Sequence, residues 1–524
     1  MANTGLLVLT NPSKVTKLLP IIKKHVLKTL YIQYFPEKNS FVSGNYTVTK
    51  PRQTIPHYAR IISSIYIDTS TVSSRLDIRV LLTSMKNSNL SIINTKKPVE
   101  IVIFDQIYSK READTFIQDY LANTSMGCNF ISLNDDQKVE NTDVKSCLEE
   151  EKTYKNVVLG GTFDRIHNGH KIFLSEAVLH CTEKLTVGVT NTNMLYGKLL
   201  WELIEPCSKR ITNLKDFLED IDSTLKYDVV GINDMYGPTK DDPTFEMIVV
   251  SEETIRGGDK VNELRIQKNL NKLDIHVVKL IKDENHREHE EHKISSSNNR
   301  IRLLGTRLRP PKLGDKPLKP YIIGLTGGIA SGKSSVAEKL EKLGAALVNC
   351  DKIAHDLYLP GKRCFDAILE AFGSTVLRSD GFIDRKTLGN IVFNDKAQLK
   401  KLNKLVWPII LDEAKKKINE FYVKGFDVII MEAAVLIQAK WQNECHEIWT
   451  CIIPQEEAIK RVIDRNGLTE ADAKLRIQVQ PSNVEQINEA NVVICSLWSH
   501  HITQNQVQKA WENLMDFLSA QDKS

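Results

Sequence analysis

No two of the nine cysteines stand in a C-x-x-C pair, which removes the redox dithiol motif and the common thiolate zinc sites. Their scatter points to free thiols in a reducing compartment. An apolar run of the roughly 18 residues that a bilayer span requires is also missing, so no transmembrane segment is expected. Charge of one sign is scarce: 70 Lys and Arg stand against 66 Asp and Glu, a net charge of +4. That balance gives no ground for a nucleic-acid partner. The first fifteen residues, MANTGLLVLTNPSKV, lack the charged start, apolar core and small-residue cleavage site of a secretory signal, and the arginines of a transit peptide. The mature chain is therefore expected to begin near Met1.

What is present is a chain of 524 residues, 41% hydrophobic and 26% charged, the profile of a globular protein of about three domains. Its most informative stretch is YIIGLTGGIASGKSS, residues 321–335: an apolar strand, a glycine-rich turn, then a helix. Within it Gly327, Gly328, Ile329, Ala330, Ser331, Gly332, Lys333 and Ser334 form G-x-x-x-x-G-K-S. Glycines let successive backbone N–H groups face one concavity, the following helix adds its positive end, and Lys333 reaches the outer phosphates. Ser334 offers a hydroxyl to Mg²⁺, so ATP or a close relative is the expected ligand.

Residues 1–150 alternate between strand-like segments at 5–9, 30–34, 76–82 and 99–104 and helix-like ones, notably 57–67, and predict an α/β domain. They hold no glycine loop and no paired histidine or carboxylate cluster, so their role is not readable. The lysines of LLPIIKKHVLKTL, 18–30, fit a helix packed on its own sheet with its charges in water; contact with an anionic membrane surface is the alternative. Residues 135–155 are polar and read as a linker.

A second domain, 151–305, opens with a strand at 156–159 followed by GGTFDRIHNGHKIFLSEAV. Gly160 and Gly161 allow a tight strand-to-helix turn, and Thr162 and Asp164 suit the turn or helix entry. His167 and His170, three apart, face one side of the first helical turn, where a phosphate would sit. They could instead be metal ligands, although no further ligand is evident nearby. Next come the hydrophilic run DENHREHEEHK, 283–293, and a proline-rich linker at 306–320. His286, His289 and His292 fit a solvated charge run better than a metal box.

The third domain, 321–524, has apolar strands expected at 345–348, 426–431, 448–453 and 492–495, separated by helical segments: a parallel sheet wrapped on both faces. Ligands collect at the carboxyl ends of such strands, where Asp351 stands. Residues 454–466 read as a helix carrying Arg461 and Arg465, stopped by Gly467. Thr469 with Asp472 starts the next helix, carrying Arg476, and the pair suggests a hinged lid.

GGTFDRIHNGH resembles the T/H-x-G-H signature of the nucleotidyltransferase superfamily. Lys198, LIEPCSKR ending at Arg210, YGPTKDDPTF and VSEETIRGG (250–258) resemble the phosphopantetheine adenylyltransferases of eukaryotes and archaea. From Gly324 onward, CDKIAHDLY, DGFIDRKTLGNIVF and the arginine-bearing lid resemble dephospho-coenzyme A kinases. Both parts in this order, behind an N-terminal extension, resemble the bifunctional coenzyme A synthase family of animals over essentially residues 1–520.

The resemblance implies an α/β multi-domain protein: a Rossmann-like nucleotidyltransferase domain and a P-loop kinase domain with parallel sheets, preceded by an N-terminal α/β domain. It implies two activities with ATP as substrate of both, Mg²⁺ as cofactor, and 4′-phosphopantetheine and dephospho-coenzyme A as the other small-molecule substrates. It also implies a cytoplasmic enzyme associated with mitochondria as a peripheral protein, and leaves the oligomeric state open. Implied adenylyltransferase contacts are Gly160, Gly161, Thr162, Phe163, His167, His170, Lys198, Arg210, Ser251, Glu252, Thr254 and Arg256, with His170 and Lys198 catalytic. Implied kinase contacts are the residues from Gly327 to Ser335 with Arg461 and Arg465, Lys333 and Asp351 being catalytic. The kinase pattern is departed from at Asn349, Trp407 and Gln438, where many relatives differ. A cytidylyltransferase fused to another kinase shares the HNGH run, but VSEETIRGG argues against it. A scaffold with decayed sites is countered by Lys333, Ser334, Asp351 and both histidines.

Overall fold

The computed structural model describes residues 1–35, 54–72, 76–86, 92–133, 152–314 and 316–521; the expected linker at 135–155 lies, up to residue 151, outside them. Three five-stranded sheets follow one another along the chain, and every strand pair within them is parallel. The first contains β1 (Ala2–Leu9), β2 (Val26–Tyr34), β3 (Asp77–Val80), β4 (Val99–Phe104) and β5 (Thr124–Ser132) in the order β3-β2-β1-β4-β5. The second contains β6 (Tyr154–Gly161), β7 (Cys181–Thr190), β8 (Lys226–Ile232), β9 (Met247–Ser251) and β10 (Asp274–Val278) in the order β10-β9-β6-β7-β8. The third contains β11 (Tyr321–Gly327), β12 (Ala346–Asn349), β13 (Val428–Glu432), β14 (Glu447–Ile452) and β15 (Val492–Cys495) in the order β12-β13-β11-β14-β15. Among the described residues no helix is long and apolar enough to cross a membrane.

These strands are parallel because helices return the chain across them, and burial on both faces explains their unbroken apolar runs. In β13 and β14 every residue is buried. The segment 18–30 is not one helix as expected. A helix spans Val15–Ile22, Lys23 and Lys24 form the turn, and Val26 already begins β2. The β-branched and aromatic residues of VLKTLYIQY favour the strand over extension of the helix.

Two compact units divide the chain, Met1–Asn299 and Arg300–Ser524. In the first, one continuous apolar cluster joins Ile62, Ile65 and Tyr66 of the helix Ile55–Val72 to Ile172 and Val178 of the helix Asn168–His180. The first two sheets thus share a core.

In the second unit, much of the proline-rich stretch 306–320 is bonded to the sheet. Leu308 N–H donates to Asn491 O (2.7 Å) and Lys312 N–H to His446 O (3.0 Å). Arg309 donates to the carbonyls of Ile487 (2.6 Å) and Ala490 (2.7 Å). Glu447, at the start of β14 and 1% exposed, takes Arg307 Nη2 (2.6 Å), the Tyr321 hydroxyl (3.1 Å) and the Trp449 indole N–H (2.8 Å). Glu447→Ala would leave three donors without their carboxylate, and loss of one partner of a buried pair costs about 3 kcal/mol. Chemical denaturation should show that loss in the transition of the second unit, whereas an unchanged midpoint would contradict the assigned network.

Candidate active sites

β11 runs into the turn that precedes the helix Lys333–Lys342, and the turn lines a cleft of about 430 Å³. All nine residues from Gly327 to Ser335 line it, with Asp351, Arg461 and Arg465. A side chain is excluded at Gly327: a Cβ there would lie 2.5 Å from Ser331 Oγ and 2.6 Å from Cys451 O. Side chains around the turn brace it. Ser496 Oγ donates to Ser331 O (2.9 Å), and the Ile329 N–H donates to Gln480 Oε1 (2.6 Å).

The centre of the site is a carboxylate that sequence reasoning missed. Glu432, the last residue of β13 and 1% exposed, accepts from Lys333 Nζ (2.9 Å), Ser334 Oγ (3.1 Å) and Asn349 Nδ2 (2.7 Å). Asp351 lies 3.6 Å from the same ammonium. Burial acts to lower the Lys333 pKa, but the charge and hydrogen bond of Glu432, then the charge of Asp351, outweigh it and hold the group above the usual lysine range. Asn349 uses both ends of its amide: while Nδ2 reaches Glu432, Oδ1 accepts from Lys352 N–H (2.8 Å) and caps the helix Cys350–Leu357. A carboxylate at 349 would face Glu432 with like charge.

Asp351 also lines a second cleft, of about 280 Å³, with His355, Tyr358 and Arg385 on its walls. One carboxylate therefore stands where two clefts meet. A Ser334 hydroxyl and the Glu432 and Asp351 carboxylates around Lys333 are hard oxygen donors of the type Mg²⁺ takes alongside substrate phosphates and water. Among the described residues no group of three or more His, Cys, Asp or Glu forms a self-sufficient metal cage.

The expected lid is two helices, Gln455–Asn466 and Glu470–Gln478, with Gly467 in left-handed conformation (φ 62°) between them. Thr469 Oγ1 caps the second, accepting from Asp472 N–H at 3.2 Å. Arg461 clamps the turn: its Nη1 donates to Ser496 Oγ (2.9 Å) and Ala330 O (3.3 Å), and its Nη2 to Ser496 O (2.7 Å). Arg465 is exposed on the cleft wall.

In the second sheet, β6 leads through Gly160 and Gly161 to the helix Asn168–His180. Phe163 and Arg165 hold positive φ (50° and 49°) in that turn, backbone strain of the kind concentrated at functional sites. His167 is the N-cap, its Nδ1 accepting from His170 N–H at 3.4 Å, and the two rings stack at 3.8 Å. Gly169 permits this, since a Cβ there would lie 3.2 Å from the His167 ring. Burial lowers both histidines below the usual imidazole range. The charge of His170 adds to the effect at His167, while Asp164 opposes it at His170, whose pKa is about 4. Both are neutral at physiological pH, so they offer N–H groups at the positive end of the helix rather than full cations.

Ser251 ends β9, the sheet neighbour of β6, and Glu252 and Thr254 follow it, so VSEET and the histidine turn stand at the ends of adjacent strands where the strand order reverses. Ser251 and Thr254 cap one another: Thr254 Oγ1 accepts from Ser251 N–H (2.9 Å). Glu252 accepts from Leu280 N–H (2.9 Å), and Arg256 is exposed in the first turn of the helix Ile255–Gln267. Lys198 is exposed on a turn, its N–H bonded to Leu195 O. Arg210 departs from the expectation of a substrate contact. It is 1% exposed and donates to Thr162 O (2.6 Å), Thr190 O (2.8 Å) and Glu205 O (2.8 Å). It fastens the Thr162 turn from behind. Thr162 Oγ1 meets Thr190 Oγ1 at 3.3 Å.

A family model described as dephospho-CoA kinase matches residues 321–497, and one described as cytidylyltransferase-like matches 158–302. A dephospho-CoA kinase of Carboxydothermus hydrogenoformans is 41% identical over 186 residues, covering 36% of this chain and 90% of the relative. That of Geobacter sulfurreducens is 36% identical over 190 residues, covering 36% and 96%. The solved dephospho-CoA kinase of Campylobacter jejuni is 25% identical, with a TM-score of 0.30, covering 37% of this chain and 96% of that one. The chain belongs to the dephospho-CoA kinase family, with a cytidylyltransferase-like domain fused ahead of its kinase domain.

Proposed function

We propose that this chain performs the last two steps of coenzyme A synthesis, adenylyl transfer to 4′-phosphopantetheine and then phosphorylation of the dephospho-coenzyme A released. The observation that carries this reading is the meeting of two clefts at Asp351 beside a P-loop, in a chain that also bears a histidine-capped helix start.

In the kinase step the nucleophile is the ribose 3′-hydroxyl. It must lose a proton as its oxygen attacks the γ-phosphorus of ATP, and ADP departs. Asp351, at the junction of the clefts, takes that proton. Lys333, held cationic by Glu432, offsets charge on the transferring phosphoryl group, with Arg465 facing it from the lid. Ser334 and Glu432 would hold Mg²⁺, which would supply positive charge against the phosphates.

The adenylyl step needs no base. The attacking group is a phosphate monoester, whose second pKa of about 6 leaves it largely dianionic at neutral pH. It attacks the α-phosphorus of ATP and pyrophosphate leaves. The protein must align two anions and stabilise the leaving pyrophosphate. His167 and His170 donate N–H groups at the helix start, Thr162 and Lys198 orient the reacting phosphates, and Ser251, Thr254 and Arg256 hold the nucleotide. A cytidylyltransferase-like match leaves the base of the nucleotide open, and VSEETIRGG favours ATP.

Single substitutions should separate the steps. Lys333→Ala should lower the kinase rate at least about 100-fold while adenylyl transfer stays within about twofold, and His170→Ala should do the reverse. Each rate is followed by product mass, with ATP and CTP compared as donors. Equal loss of both steps in a folded Lys333→Ala protein would refute independent sites.

The depressed His170 pKa sets a pH window. An unfolded histidine takes up a proton as pH falls through 6.5, but the native one resists until about 4, so native stability present at neutral pH is lost between those values. Melting temperatures measured from pH 7 to 4.5 should fall less steeply for His170→Asn than for the wild type. Parallel profiles would contradict a neutral, buried His170.

A further inference from the structure

The first two sheets have the same topology. With strands numbered within each sheet, both run 3-2-1-4-5. The connections correspond as well. A helix follows the first strand (Val15–Ile22; Asn168–His180), the second (Ile55–Val72; Cys207–Ile221) and the fourth (Lys110–Tyr120; Ile255–Gln267). Among the described residues, a four-residue helical turn stands between third and fourth strands in each, Thr83–Lys86 and Gly237–Lys240.

The turn after the first strand differs. In the second sheet the first strand ends on two glycines, and the stacked histidines stand at the start of the helix beyond the turn. In the first it is Thr10, Asn11 and Pro12, and the chain fills its own cradle. Asp105, directly after β4 and fully buried, turns Oδ2 onto the Thr10 N–H (2.8 Å), the Thr10 hydroxyl (2.8 Å) and the Asn11 N–H (3.3 Å). Lys14 Nζ donates to Asp105 O at 3.2 Å. Amides at this strand-order reversal are those an anionic ligand would use, and a carboxylate of the same domain already occupies them.

The first domain grips the histidine-bearing helix instead. Asn168, between the two histidines, donates through Nδ2 to Tyr66 O (2.7 Å) and Ser70 Oγ (2.9 Å). Lys171, one residue past His170 and 6% exposed, reaches Asp77 Oδ1 (2.7 Å) and Ile78 O (2.7 Å). Asp77 accepts from Arg79 Nε (2.8 Å), and Arg79 continues to Asp216 (2.8 Å) and Asp220 (2.6 Å) on the helix Cys207–Ile221. Both helices that flank the histidine turn are thereby bonded to β3.

We propose that the N-terminal domain is a self-filled twin of the adenylyltransferase domain that sets the position of the histidine-bearing helix, with Asp77, Lys171 and Asn168 as positioning residues for adenylyl transfer. The proposal rests on the functional reading above. A buried ammonium is tolerated only beside its carboxylate, so Lys171 ties the helix start to Asp77. A displacement of about 1 Å in a transferring site costs up to about 100-fold in rate.

The test uses the full chain with Asp77→Asn, Asp77→Glu and Asn168→Ala. Adenylyl transfer and phosphorylation of supplied dephospho-coenzyme A are measured on the same folded preparations. The expected result is a kcat for adenylyl transfer at least about tenfold lower in Asp77→Asn and Asn168→Ala, with KM for phosphopantetheine within about threefold. Asp77→Glu should recover most of the rate, and the kinase rate should be unchanged in all three. If Asp77→Asn does not fold, Asn168→Ala, which strands no charge, decides. A folded Asn168→Ala protein with wild-type kcat overturns the positioning role, whereas a wild type without adenylyl transfer overturns the functional reading instead.

Discussion

A parallel strand that turns sharply into a helix leaves backbone N–H groups pointing at one spot, and those groups must find an acceptor. The chain meets this demand in three ways. After β11, a glycine-rich turn lines a cleft, with the Ile329 N–H bonded to Gln480 and Lys333 held by Glu432. After β6, a histidine cap and a second histidine stacked on it border the helix start. After β1, Asp105 satisfies the turn from within. The same local geometry thus carries glycines and a lysine at one turn, histidines at another and a buried aspartate at the third, and the difference lies in a handful of side chains at each.

The β11 and β6 turns differ in the side chains set around them. In the kinase domain a half-exposed carboxylate, Asp351, stands beside a fully buried one, Glu432. The buried one keeps Lys333 charged and organises Ser334 and Asn349 around it. At the β6 turn the helix start carries two neutral, buried imidazoles, and Arg210 directs its donors onto carbonyls that fix the turn.

Much of this was legible in the sequence where chemistry depends on spacing. The residues from Gly327 to Ser334, Asp351 at a strand end and the His167/His170 pair are local patterns, and the strands of the kinase sheet fell within two residues of expectation at each end. Glu432 was not legible, because it acts from a strand 98 residues beyond Ser334 and only a carboxylate ending an apolar run announces it. Arg210 misled because sequence cannot distinguish a guanidinium facing a phosphate from one facing carbonyls. Residues 18–30 misled because the end of a helix, a short turn at Lys23 and Lys24 and the start of a strand follow one another within that stretch. The N-terminal domain was silent for a similar reason: its contacts with Asn168 and Lys171 are long-range, and its plug is a single aspartate.

The central claim is that one chain passes the product of one anion site to another. The most direct measurement follows, by mass and over time, 4′-phosphopantetheine supplied to the purified chain with ATP and Mg²⁺. The account predicts dephospho-coenzyme A rising first and then giving way to coenzyme A, with one pyrophosphate and one ADP formed per molecule. Accumulation of dephospho-coenzyme A without further conversion, or no adenylylated product at all, would contradict it.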